Sequence, residues 1–365
     1  MFWYLFNIAL LSLVYLWPVR DTGPEGEHLG MPKVRRKAVC IVGTVNWIIL
    51  SGFRHISVGA DTLNYKIGRF DKTIDVSWST LFEDLYKKYI LGQEIKDPGY
   101  SIFEKFVQIF SKDYQFFLVV IACLFFISLG VLLYKYSRNP YVSFVLFSVL
   151  FYSFFAITGH RQTIATALVV LIGTHLIRKK KLIPFLLLTL LASTIHGSAI
   201  CFIPMYFLSK IKINKYTLAI YWVGIGASFI FRYQLLNLLQ ALAGYEGYGD
   251  HEGAAAGTFL YMLLAVAAVI TLFNKSIEKS DNPLLQFATN AVFMACIFAP
   301  LLLINPAFMR VVQYYSLFLL VMIPELEIIF PKKNDKLIFK LACVGLLVAL
   351  FLRNDLTYLF FWQKA

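Results

Sequence analysis

Apolar windows bounded by charged residues, Pro and Gly recur along the chain, at 2–17, 38–53, 114–134, 141–157, 162–177, 182–195, 198–208, 216–231, 258–273, 284–304, 309–329 and 337–352. Such windows predict bilayer-crossing helices, and twelve of them predict an all-α, polytopic membrane protein. The stretch 182–208 admits one long helix or two short ones turning at His196-Gly197-Ser198. Basic residues flank it on both sides, at 178–181 and at Lys210, Lys212 and Lys215, and a single crossing would leave one cluster on the unfavourable face. The hairpin is therefore predicted. Its arms, about 21 and 17 Å long at helical rise, fall short of a hydrocarbon core of about 30 Å and leave His196 recessed below the outer surface.

Two outward segments are longer than simple connections, 54–113 and 232–257, and loops of that size are commonly functional or mobile. Within the first, Trp78 to Leu91 alternates apolar and charged residues at near-helical spacing, predicting an amphipathic helix on the membrane face. The second contains Gly244-Tyr-Glu-Gly-Tyr-Gly-Asp-His-Glu-Gly253, a loop able to meet sugar through aromatic faces. No soluble domain and no internal repeat is visible, so 1–365 reads as one transmembrane domain. The first seventeen residues lack a basic n-region and a small-residue cleavage site, which predicts a retained first helix.

Composition agrees with the pattern. Of 365 residues 59% are hydrophobic and only 15% charged, whereas soluble domains carry about 25% charged residues, so a soluble enzyme is excluded. The net charge of +13 reports topology and not a nucleic-acid partner: 19 basic residues fall in alternate short loops, which the positive-inside rule places in the cytoplasm. Segment 54–113 carries nine basic and nine acidic residues, and both termini are predicted to face outward. All five cysteines lie in apolar stretches without metal spacing and read as small buried hydrophobes.

Charge beside hydrocarbon is costly and usually faces a cavity, so ionisable residues at outer helix ends are informative. Each outward turn contributes an arginine, Arg54, Arg161, Arg232, Arg310 or Arg353, against the topology rule. Snorkelling to headgroups or local pairing accounts best for Arg232 and for Arg353 beside Asp355. Arginine otherwise suits phosphate, because its planar fork donates paired hydrogen bonds and stays protonated. His196 is either a turn residue bonded to a carbonyl or a site residue that moves a proton. His160 reads as a supporting or headgroup residue, Asp61 as a general base or a turn cap, and Asp97 in Asp97-Pro-Gly-Tyr100 locally as a turn. The chain has no Walker or Rossmann signature, no HExxH, no paired-Cys motif, no Gly-x-Ser-x-Gly and no Asp-x-Asp, so nothing asks for a cofactor or a metal.

Taken in order, Gly52-Phe-Arg54, Val58-Gly59-Ala-Asp61 with Tyr65, Asp97-Pro-Gly99-Tyr100-Ser-Ile-Phe-Glu104, Gly159-His-Arg161-Gln162 with Ala165, His196-Gly-Ser198-Ala199, and Arg310 with Tyr314-Tyr315 resemble the EpsG family of exopolysaccharide biosynthesis proteins, related to Wzy-type O-antigen and capsule polymerases. The resemblance implies a GT-C-like glycosyltransferase of the bacterial cytoplasmic membrane that joins undecaprenyl-diphosphate-linked oligosaccharide repeat units at the outer face. It implies a flippase and a chain-length regulator as pathway partners. Carried onto these positions, it gives Arg161 and Arg310, with Arg54, the donor diphosphate. Asp61 or His196 becomes the base, and Tyr65, Asp97, Tyr100, His160, Gln162 and Tyr314 meet substrate. A flippase of the same lipid-linked unit, and a ligase or acyltransferase acting on the same glycan, are the competing readings. A transporter needs charged or broken-helix sites near the midplane, and these windows hold few ionisable residues.

Overall fold

The computed structural model describes residues 2–18, 31–150, 152–243, 254–330 and 358–363, with 334, 338 and 345. Among them every regular element is helical, and the only β contact is a bridge between Arg54 and Phe360. The apolar windows fold where the pattern puts them, as in Phe2–Leu16, Lys33–Gly52, Tyr114–Tyr136, Leu182–Ile195, Lys215–Ile230, Ala254–Leu272 and Pro283–Phe298. Their starts follow local chemistry: Asp113, Asn139, Asn214 and Asn282 each accept a backbone N–H of the first turn, and Pro140 and Pro283 occupy first-turn positions.

By length and composition, two described helices, Tyr114–Tyr136 and Pro283–Leu303, can each cross a bilayer alone. Two bent pairs raise this to four, Gly257–Leu272 with Asn274–Ser280 at 69° and Pro306–Ser316 with Leu319–Glu325 at 48°. Other windows are interrupted. The 141–157 window stops at Leu150, whose backbone is extended, and resumes as Tyr152–Thr158. Segment 182–208 breaks at His196 as the hairpin reading requires, the helix ending at Ile195 and the chain resuming as Gly197–Leu208. The 337–352 window apart from 338 and 345, loop 244–253, Arg20 and Arg353 lie outside the described residues.

Lys33–Gly52 packs along Tyr114–Tyr136, and a Cβ at Gly130 would collide with Thr44, so a small residue sets how closely the two helices meet. Trp47 stacks on Phe126 at 5.5 Å and meets Phe147 edge-on at 5.0 Å. Buried Arg36 donates to the carbonyls of Tyr134, Ser137 and Arg138 at 3.1, 2.6 and 3.1 Å, closing the C-terminal end of the neighbouring helix with a cation. At the other end of that helix pair the described chain ends meet: Trp3 lies 4.8 Å from Phe360, and the His55 N–H donates to Leu359 at 2.8 Å.

Segment 54–113 is not an extended loop. It folds into short helices, including Thr62–Tyr65, Trp78–Tyr89 and Pro98–Gln108, around its own apolar cluster. Phe70, Tyr100 and Val107 there pack on Phe117, Ile164 and Ile195 of three apolar helices, which fixes the segment as a cap over their ends.

Candidate functional site

The cap brings an acidic residue to the two turns that carry Arg161 and His196. Asp97 precedes Pro98, the first residue of its helix, and adopts a left-handed backbone with φ 50° and ψ 59°. Such a conformation in a residue other than glycine costs about 1–3 kcal/mol and persists where surroundings impose it. It aims the carboxylate at Arg161, whose Nη1 donates to Asp97 Oδ2 in an ion pair with only 14% and 5% of the two side chains exposed. The His196 Nδ1 lies 3.9 Å from the same oxygen, its own side chain 2% exposed. Burial opposes ionisation of Asp97, but the imidazole of His196 and the guanidinium of Arg161 outweigh it and hold the carboxyl below its ordinary value.

Arg161 stands at the second position of its helix, which opens at His160 after Gly159. Its Nε donates to the Tyr65 hydroxyl at 3.1 Å, and its cation lies 5.6 Å from the Tyr65 ring centre. Tyr65 in turn stacks on His160 at 4.4 Å and meets Tyr100 at 5.7 Å. Behind them Arg54, only 2% exposed, bonds His160 Nε2 at 2.8 Å and donates to the Ser51 carbonyl. Arg54 therefore braces the His160 and Tyr65 layer from inside the protein. A π-helical turn directly follows Tyr65, at Lys66–Phe70, and another interrupts the Arg161 helix at Ala167–Ile172, a distortion frequent at functional sites.

Gln162, Arg310 and Tyr314 meet in a second hydrogen-bonded group. Gln162 donates to the Arg310 carbonyl at 3.0 Å and accepts from the Tyr314 hydroxyl at 3.3 Å, and Tyr314 bonds Ser198 at 3.1 Å, two residues after His196. Asp61 caps the Thr62–Tyr65 helix one turn before Tyr65, half-buried and without a side-chain capping bond. It is outside the hydrogen-bonded cluster that Asp97 joins. Arg232, the first residue of its helix, donates to the Phe229 carbonyl of the preceding helix, Lys215–Ile230, at 2.8 Å.

Sequence reasoning missed the remaining cations. Arg69 donates to the Lys96 carbonyl at 3.1 Å and lies over the Tyr100 ring at 5.7 Å. The Lys96 ammonium is pushed down by its partial burial and by Arg161, against the pull of Asp97, with Arg310 and Arg69 adding to the effect. The Asp97 carboxylate itself is acted on by His196, Arg161 and Lys88. The adjacency of Lys96 to Asp97 was the one available signal, and only the fold brings in Arg69.

Gly99 makes the junction possible. A Cβ there would collide with the Thr194 hydroxyl and come within 2.8 Å of the Thr194 carbonyl carbon, two residues before His196. Gly99→Ala is therefore expected to push the Asp97 turn away from His196, costing about 1–3 kcal/mol by overpacking. Activity should fall by at least tenfold, about 1.4 kcal/mol in barrier, in membranes whose content of the variant matches wild type on an immunoblot. Retention of full activity would show that the close approach is immaterial.

One helical turn beyond Tyr100, Glu104 is wholly buried and accepts from the Thr73 hydroxyl at 3.1 Å. Burial pushes its carboxyl up to about 7, against the lowering influence of Arg69 and Thr73. Its folded value exceeds its unfolded one, so its contribution to stability is full below about pH 4.5 and is lost as pH rises towards 7, up to about 3 kcal/mol. The melting temperature in detergent should fall between pH 5 and 8, and Glu104→Gln should flatten that decline. An unchanged slope in the variant would remove Glu104 as its source.

The EpsG family model matches residues 37–363, nearly the whole chain and every residue of the site. No curated protein and no solved structure matches it.

Proposed function

The chain belongs to the EpsG family, a family of membrane proteins of polysaccharide biosynthesis, and from that premise we propose that it is a glycosyltransferase that polymerises lipid-diphosphate-linked repeat units at the outer face of the cytoplasmic membrane. The observation that carries the proposal is the buried Arg161–Asp97 pair with His196 against the same carboxylate. Its parts suit a displacement at an anomeric carbon: a cation for a leaving diphosphate, a base for a hydroxyl, and an anion to hold the base.

In this reading Arg161 and Arg310 bind the undecaprenyl diphosphate of the growing chain, and Arg54 acts through His160 and Tyr65. The acceptor hydroxyl of a second lipid-linked repeat unit attacks the donor's anomeric carbon. The bond from that carbon to the diphosphate oxygen breaks, and undecaprenyl diphosphate departs with the electron pair. His196 takes the hydroxyl proton, and Asp97 stabilises the imidazolium that results. Asp61, one turn before Tyr65, is assigned to the acceptor sugar, together with Tyr100, Gln162 and Tyr314. The reading keeps twelve spans, with 337–352 as the last, and the 4.8 Å approach of Trp3 to Phe360 supports an even count. A GT-C-like arrangement goes with that count.

The proposal is tested by the size distribution of lipid-linked glycan in cells carrying Arg161→Ala or His196→Ala. Single repeat units should accumulate and long chains disappear. Unaltered chain length, or long chains retained on the inner face, would overturn it in favour of a transporter.

A further inference from the structure

The Trp78–Tyr89 helix has three distinct faces. Leu81, Leu85 and Lys88 turn towards the protein, and the helix packs there against Pro98–Gln108, whose first turn carries Asp97. Ser79, Glu83 and Lys87 form a polar row, with Lys87 and Glu83 paired at 2.7 Å. Between these rows, Trp78, Phe82 and Tyr86 repeat every four residues with 36%, 55% and 54% of their surface exposed, and Trp78 and Phe82 stack at 6.1 Å. An aromatic row beside a charged row is the pattern of a helix lying in the plane of a membrane interface.

Two observations select lipid as the occupant. The Tyr89 hydroxyl donates to the Ser193 carbonyl at 3.4 Å, next to Leu187, Leu190 and Leu191, which are exposed on an apolar helix and face hydrocarbon if that helix is a span. The aromatic row therefore continues a lipid-facing surface. The inward face also brings Lys88 towards the site, where its ammonium is pushed down by partial burial and by Arg161, against the pull of Asp97.

We propose that the Trp78–Tyr89 helix rests in the outer leaflet with Trp78, Phe82 and Tyr86 among the lipid chains, and forms the sill over which a lipid-linked diphosphate passes, by way of Lys88, to Arg161. The sill role rests on the polymerase reading above; the leaflet contact does not.

The test uses the full-length protein in phospholipid vesicles, with its five cysteines replaced by alanine and single cysteines at 79, 82, 83 or 86 carrying an environment-sensitive fluorophore. Nitroxide-labelled phospholipid should quench positions 82 and 86 several-fold more than 79 and 83. Equal quenching at the four positions, or none, overturns the leaflet contact. In parallel, Phe82→Ser with Tyr86→Ser should raise KM for a long polyprenyl-diphosphate repeat unit and leave KM for a water-soluble short-chain analogue unchanged, with kcat preserved for both. Unchanged KM for the long-chain substrate overturns the sill. If wild-type protein shows periodic quenching but polymerises neither substrate, the polymerase reading fails, the sill fails with it, and the leaflet contact stands.

Discussion

Arg161→Lys should abolish polymerisation almost as completely as Arg161→Ala, although the positive charge is retained. The guanidinium of Arg161 uses separate nitrogens for separate partners, Nη1 for Asp97 and Nε for the Tyr65 hydroxyl, with its cation 5.6 Å from the Tyr65 ring centre. An ammonium is a point charge on a flexible stem; it can reach Asp97 or Tyr65 but cannot span both in one plane. A diphosphate held by the guanidinium would lose paired hydrogen bonds as well. Removing one donor that stabilises developing negative charge costs about 10²- to 10³-fold in rate, and the lysine variant should lose at least that. The measurement is the transfer rate in vesicles containing purified protein and lipid-linked repeat units, alongside the glycan ladder in cells. A lysine variant within tenfold of wild type would show that Arg161 supplies charge alone, and the bidentate role would have to pass to Arg310.

Much of the fold was legible because hydrocarbon imposes a strong rule on sequence. Helices at Tyr114–Tyr136, Lys215–Ile230 and Pro283–Leu303 follow from apolar runs, and the break at His196 followed from basic clusters on both sides of 182–208. The helix at Trp78–Tyr89 was visible as an alternation of apolar and charged residues. The interruption at Leu150 and the π turn at Ala167–Ile172 were not visible, since each lies inside an unbroken apolar window and depends on tertiary packing. The site shows the same division. Arg161, His196 and Arg310 stand out by breaking the charge rule or sitting at a turn. Asp97 looked like an ordinary Asp-Pro-Gly turn, and its importance lies in a left-handed backbone and in a contact with a helix about a hundred residues away. The family resemblance gives Arg54 to the donor diphosphate; in the structure it is buried and bonded to His160, behind the Tyr65 layer, a placement that charge and spacing do not carry.

Asp97→Asn is expected to be as damaging as loss of the base itself, and the double variant with His196→Ala should be little worse than the poorer single variant. The amide keeps the shape of Asp97 but gives up the charge that faces both Arg161 and His196. Removing one member of a buried ion pair leaves the other uncompensated, which costs about 3–5 kcal/mol of stability, so the variant must be compared at equal folded amounts. The catalytic loss should be about 10²- to 10⁴-fold, the contribution of a positioned acid–base group, because an imidazole without its carboxylate no longer holds the proton it accepts. Since Asp97 is held below the ordinary carboxylate range, it stays ionised throughout the working pH range, and protonation of His196 is left to set the acid limb of the rate profile. His196→Ala should erase that limb, and Asp97→Asn should displace it to lower pH, because the carboxylate charge that favours the imidazolium is gone while the opposing charge of Arg161 remains. Residues that act as one unit are not additive, so independent losses that multiply in the double variant would separate Asp97 from His196 and return the role of base to Asp61.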